Sequence, residues 1–117
     1  MLEWEHLDSW IARLAEERGP LVRSTLERIS GAPPDVELVH RLCEEALAAA
    51  EIVASCAGAT PDELPDDVRA YVESCSVPDD ELVRIAFRAV ERVGLQRQEH
   101  DEALVDLEER LGAILSA

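Results

Sequence analysis

The sequence predicts an all-α fold, a compact bundle of five or six helices with a central, alanine-rich third helix. Three observations carry this. Apolar residues recur with the 3.6-residue helical period in every long segment. No stretch alternates apolar and polar residues over a length that would make a strand. Aromatics are only 3% of the chain (Trp4, Trp10, Tyr71 and Phe87), so the core must be built from Leu, Val, Ile and Ala, which suits closely packed helices. At 117 residues the chain suits one domain, 1–117, with enough apolar content to bury a core without staples.

The first helix is expected from about Glu5 to Glu17. Leu7, Trp10, Ile11 and Leu14 fall at i, i+3, i+4 and i+7 and make one apolar face. Gly19-Pro20 ends that helix and opens the second, since proline suits a first helical position. The second helix carries Leu21, Val22, Leu26 and Ile29 and stops near Gly31-Ala32-Pro33-Pro34. The third is expected from about Asp35, a suitable N-cap, to Ala57, with Gly58 at the C′ position. One narrow stripe of it is largely polar: Glu37, Arg41, Glu44, Ala48, Glu51 and Ser55. Leu38, Val39, Leu42, Cys43, Ala46, Leu47, Ala49, Ala50, Val53, Ala54 and Ala57 fill the rest. An apolar arc this wide means contacts on several sides, which places this helix at the centre.

A proline-bearing loop follows, and then a short helix from Asp66 to Ser74 with Val68, Tyr71 and Val72. The next helix runs from about Pro78 to Val93, with Leu82, Ile85, Ala86, Ala89, Val90 and Val93 inward, and Gly94 weakens it there. A last helix from about Glu99 to Leu115 has Leu104, Leu107, Leu111 and Leu115 along one line. No internal repeat or low-complexity tract is present.

Charge is the strongest local feature. Acids outnumber bases 26 to 11, for a net charge of −15, and every base is an arginine. Arginine without lysine, with abundant Ala, Val and Leu, suggests a GC-rich bacterial source. So negative a field repels phosphates, which argues against nucleic acid and anionic membranes and favours a basic protein partner or a cation. Between Thr60 and Glu81 lie eight acids (Asp62, Glu63, Asp66, Asp67, Glu73, Asp79, Asp80 and Glu81) and one base, Arg69, a net of −7. These eight are the candidate partner-binding residues. The competing reading is a solvated surface whose acids sit in first turns, where a helix N-terminus favours negative charge. A second acidic run comprises Glu99, Asp101, Glu102, Asp106, Glu108 and Glu109.

Arg84, Arg88 and Arg92 follow at i, i+4 and i+8 and are read as one basic row. Ion pairing with the acidic row Glu37, Glu44 and Glu51 of the third helix is the structural expectation, and an anion or carboxylate site the functional one. His40 and Cys43 lie one helical turn apart, within reach of one metal ion. Scattered cysteines do not match the paired spacing of structural zinc sites, so no metal and no cofactor are expected. Cys43, Cys56 and Cys75 are read instead as small buried hydrophobes, reduced in a cytoplasmic setting. No apolar run approaches the ~20 residues that span a bilayer. The opening Met-Leu-Glu-Trp-Glu-His lacks a basic stretch followed by an apolar one, so no signal peptide is expected. No Gly-rich phosphate loop, His-Glu-x-x-His pair or nucleophile elbow occurs, and no enzymatic activity is expected.

The run Glu45-Ala46-Leu47-Ala48-Ala49-Ala50-Glu51-Ile52-Val53-Ala54, then Gly58 and Leu64-Pro65, resembles a small bacterial family known only as domain of unknown function 4259. That family carries an A-L-A-A-A-E-like helix, a glycine, an L-P pair and a later L-x-x-x-A-x-x-A-V-x-R-V helix. The later pattern reads here Leu82, Ala86, Ala89-Val90-Glu91-Arg92-Val93. Asp8-Ser9-Trp10-Ile11-Ala12-Arg13-Leu14 is similar to the family's early D-W-L-x-x-L stretch. The family's glycine-rich opening is missing, and Gln96-Arg97-Gln98-Glu99 stands where its S-E-L-x-x-L-W segment belongs. The resemblance implies an α-helical domain and brings no catalytic residues with it.

The expected function is a non-enzymatic, acidic protein-interaction domain, an immunity- or antitoxin-like inhibitor of a basic partner. One alternative is a small-ligand or metal-binding domain using the arginine row or the His40–Cys43 pair. Another is a self-associating homo-oligomer, which the wide apolar arc of the third helix permits.

Overall fold

The computed structural model describes residues 4–33, 35–58, 64–97 and 102–116. A single 3-10 turn, Trp4–Leu7, leads into α1 (Asp8–Glu17). Then come α2 (Gly19–Ser30), α3 (His40–Cys56), α4 (Asp66–Ser74), α5 (Asp80–Arg97) and α6 (Glu102–Ser116). No strand occurs among the described residues, and none of their helices is long and apolar enough to cross a membrane.

α3 is the centre. It packs against α2, α4, α5 and α6. From Glu45 to Ser55 every residue but Glu51 is buried, including Ala48, Ala49, Ala50 and Ala54 at no exposure at all. Although Glu37 and Arg41 stay exposed, the later part of the stripe expected to be polar, Ala48, Glu51 and Ser55, is therefore largely covered too. α6 lies along it and supplies Arg110, whose two terminal nitrogens donate to the two carboxylate oxygens of Glu51 at 2.9 and 2.7 Å. From Ala46 to Ala54 the apolar arc is covered by helices of the same chain, while Val39, at its start, is exposed.

α1 and α2 lie at the flank. Leu7, Trp10, Ile11 and Leu14 are all buried, as their spacing implies. The buried Trp10 indole keeps a partner by donating to Thr25 Oγ1 on α2 at 3.2 Å, which spares it the cost of an unpaired N–H. Pro20 sits in the first turn of α2, as expected.

Two boundaries differ from expectation. α3 begins at His40 rather than near Asp35, and its N-cap, Val39, makes no side-chain cap hydrogen bond. The intervening segment is held outside the helix by α5. Arg92 donates through Nη2 to the carbonyl oxygen of Pro33 at 2.9 Å and to that of Val36, and through Nε to that of Ala32 at 3.4 Å. Gln96 donates from Nε2 to the Leu38 carbonyl at 2.7 Å and accepts from the Leu38 N–H at 2.5 Å. Together they take up four carbonyls and an amide of the stretch that leads into the helix.

The second difference is that α5 runs through Gly94 to Arg97. Glycine weakens a helix through backbone entropy. Here the contacts of Gln96, one half-turn beyond, hold the extra residues in place. α5 also starts two residues later than Pro78, because Asp79 acts as its cap: Oδ1 accepts from the Leu82 N–H at 2.8 Å.

Two tests follow. A Cβ built on Gly94 would meet only Glu108 Oε1, at 3.8 Å, an ordinary van der Waals contact. Gly94→Ala is therefore expected to stabilise the fold by roughly 0.5–1 kcal/mol in denaturant titration. Arg92→Met keeps the stem but strips the donors, and is expected to cost about 2–3 kcal/mol. Arg92→Lys should fall between, since one ammonium cannot span three carbonyls.

Candidate functional site

The acidic segment becomes a strip along α4 and the start of α5. Leu64 and Val68 are buried and anchor α4 on the bundle, where it packs against α1 and α3. Burying Val68 turns Asp66 and Asp67 outward in the first turn, both exposed. Arg69 folds back to donate to the Leu64 carbonyl at 3.5 Å. Glu73 is exposed near the other end of the helix, about 10 Å along its axis from Asp66 at the usual rise. Asp79, Asp80 and Glu81 follow at the start of α5.

These acids are not alike. Asp79 is occupied as the cap of α5. Glu81 accepts from Arg23 Nη2 on α2 at 2.9 Å, and Arg23 Nε also lies 3.6 Å from Glu27. Asp66, Asp67, Glu73 and Asp80 are exposed and form no ion pair among the described residues. Asp62 and Glu63 lie outside the described residues, and among those described the exposed strip consists of these four carboxylates.

α4 is tied down at its far end by two devices that the sequence reading missed. The first is Arg18, the single residue between α1 and α2. Its guanidinium carbon lies 5.3 Å from the centre of the Tyr71 ring, and its Nη2 donates to Ser74 Oγ at 2.7 Å. To do this it adopts φ 54°, left-handed territory that a side chain ordinarily avoids. Partial burial pushes the Tyr71 phenol above its ordinary pKa, and Arg18 opposes that by favouring the phenolate. The second device is a disulfide. Cys56, the last residue of α3, is bonded to Cys75, the first residue after α4, with the α-carbons 6.4 Å apart. The expectation of three reduced cysteines is corrected here: folding the short helix back along α3 brings two residues 19 apart in sequence side by side. Cys43 does match expectation as a buried cysteine outside the disulfide.

The arginine row is also corrected. Arg84 and Arg88 are exposed, and neither makes an ion pair among the described residues, whereas Arg92 is buried. The cause is helical drift: each i to i+4 step overshoots a full turn by about 40°. By Arg92 the row has rotated about 80°, onto the edge of the face formed by Ile85 and Ala89. Its expected partners are engaged elsewhere. Glu51 is held by Arg110, Glu44 lies 3.5 Å from His40, and Glu37 precedes the helix. The three arginines therefore do not form a shared anion site. His40 and Cys43 do not converge either: the His40 side chain is 81% exposed while Cys43 is buried. No group of three or more potential metal ligands occurs among the described residues.

In the second acidic run Glu102 and Glu109 are exposed, and two other acids have partners or neighbours in the fold. Asp106 accepts from Arg110 Nε at 2.9 Å on its own helix. Glu108 is half-buried, and burial first, then the neighbouring Glu91 carboxylate, pushes its pKa up. Glu99 and Asp101 lie outside the described residues. Nothing in these contacts pairs a nucleophile with a base.

A family model for a domain of unknown function, DUF4259, matches residues 7–111. The chain belongs to the DUF4259 family. Comparison with curated proteins and with solved structures gives no match. The matched span runs from Leu7, the first buried residue of the core, to Leu111 on α6, so it takes in all the helices that surround α3. The alanine-rich α3 and the L-x-x-x-A-x-x-A-V-x-R-V pattern of α5 both lie within the matched span. In that pattern the alanines and valines are core and the arginine, Arg92, is the clasp on residues 32–36.

The Arg18 arrangement gives a paired test. Arg18→Gly relieves the backbone strain while losing the tether, and is expected to stay within about 1 kcal/mol of the parent in denaturant titration. Arg18→Ala loses the tether and keeps a β-carbon at positive φ. It should be about 1 kcal/mol less stable than the glycine variant.

Proposed function

We propose that the chain is a non-enzymatic, acidic protein-interaction domain of the immunity or antitoxin type, which docks a basic partner along Asp66, Asp67, Glu73 and Asp80. One observation carries the reading: these four carboxylates are exposed and make no ion pair among the described residues, while their neighbours Asp79 and Glu81 are occupied within the fold. First-turn placement explains why Asp66, Asp67 and Asp80 are tolerated. It leaves Glu73, in the last turn of α4 beside a carbonyl end that disfavours anions, without a structural reason. The overall charge of −15 supports the same reading, because a field of that size steers a basic protein toward the strip.

A bacterial cytoplasmic setting goes with this reading. The Cys56–Cys75 bond weighs on the other side, since disulfides persist chiefly in oxidising compartments.

The test reverses the strip with Asp66→Arg, Asp67→Arg, Glu73→Arg and Asp80→Arg together. A second variant neutralises the same residues with Asn and Gln, which guards against a folding defect. Both are used beside the parent chain to capture partners from the source lysate at low salt, read by native mass spectrometry. The parent is expected to hold a basic protein in stoichiometric amount and to release it as salt rises. The neutralised variant should bind at least tenfold more weakly and the reversed variant not at all. Binding unchanged by either variant would overturn the reading.

A further inference from the structure

The residues that hold α4 point to a property unrelated to docking. We propose that Cys56 and Cys75 form a reversible thiol–disulfide switch that sets how firmly α4 is held against the bundle.

A helix of nine residues is too short to persist in water by itself, since isolated helices below ~12–15 residues are marginal. α4 therefore depends on its attachments. Val68 is its one fully buried side chain, with Leu64 buried just ahead of it and Tyr71 and Val72 half-buried. Arg18 reaches it from the α1–α2 junction. The remaining attachment is covalent, at its C-terminal end.

The rest of the core does not depend on that bond. α3 packs on α2, α5 and α6 through Ala46 to Ala54, and α2 packs on α5. Breaking the bond takes away the closure of a short loop and leaves those contacts in place. In the loop-entropy account, closure at this length shifts the closed-to-open ratio of such a segment by on the order of a hundredfold. The effect falls on one helix rather than on the fold, which is how a cooperative unit of low local stability behaves.

Both cysteines of the bond are also partly open to solvent. Cys56 and Cys75 are each only half-buried, whereas Cys43 is 1% exposed and stands apart as a spectator. A dithiol reductant opens the bond in two exchanges. Its first thiolate attacks one sulfur, forms a mixed disulfide and expels the other cysteine as thiolate. Its second thiolate then displaces the remaining cysteine. Two electrons and two protons pass from the dithiol to Cys56 and Cys75, and the reductant leaves as its own disulfide. A disulfide oxidant of the glutathione class reverses the change.

The test uses the full chain oxidised with glutathione disulfide, then reduced with dithiothreitol, then reoxidised. Alkylation in denaturant, read by mass, should find one thiol, then three, then one. Amide hydrogen exchange of residues 64–74 should accelerate at least about tenfold on reduction and return on reoxidation, with α2 and α5 unchanged. The double variant Cys56→Ser, Cys75→Ser should match the reduced chain without any reductant, and Cys43→Ser should switch like the parent. Three thiols after oxidation would overturn the proposal. So would α4 exchange that ignores the redox state, or acceleration spread equally over α2 and α5, the mark of a staple for the whole fold. Partner binding enters none of these readouts, so failure here leaves the docking proposal standing, and the reverse.

Discussion

Ala48, Ala49, Ala50 and Ala54 set how near the other helices come to α3. A methyl group is all that stands between backbones at those positions, so α2, α5 and α6 can converge on one axis. Close packing of this kind gains dispersion contacts and tolerates little added volume. With only four aromatic residues in the chain, bulky side chains cannot fill gaps between widely spaced helices. The fold depends on this constraint. A covered α3 turns most of its apolar side chains inward, and the exposed large apolar residues among those described are Val36, Val39, Val77, Leu95 and Val105. Even the one half-buried acid in the middle of α3, Glu51, is drawn into the assembly by Arg110.

Much of this arrangement was legible in the amino-acid order. The cores of α1 and α2 follow from 3.6-residue spacing, and α4 from Asp66 to Ser74 follows from its flanking proline and acids. Helix existence is a local property. What was not legible was mostly non-local. Asp35 reads as a cap from its neighbours alone, but Arg92 and Gln96, some 60 residues away, hold that stretch out of the helix. Arg92 itself looked like a member of one basic row because spacing at i, i+4 and i+8 hides about 80° of helical drift. The signal was present: two positions along the same face as Ile85 and Ala89 were an arginine and a glutamine. Spacing alone could not pair Cys56 with Cys75, because three cysteines allow three pairings and only the return of α4 along α3 selects one.

The acidic strip was legible as composition but not as geometry. The sequence places eight acids in one segment with equal standing. The structure separates those that the fold consumes from those it leaves outward. Asp79 and Glu81 serve α5 and α2, and Asp66, Asp67, Glu73 and Asp80 face solvent. That partition is what turns a charge run into a surface with particular residues, and it depends on which basic side chains fall near each acid. With only 11 bases against 26 acids, most carboxylates cannot be paired within the chain.

The hold that Arg92 and Gln96 keep on the path between α2 and α3 has one more consequence. All their contacts there are to main-chain atoms: the carbonyls of Ala32, Pro33, Val36 and Leu38 and the amide of Leu38. A clasp that recognises backbone is indifferent to the side chains it passes. The connector can vary at its exposed positions, such as Val36 and Glu37, while following the same route, provided the two residues on α5 and the buried Leu38 stay. Evolutionary variability in that stretch would therefore be a sign of how it is fastened rather than of looseness.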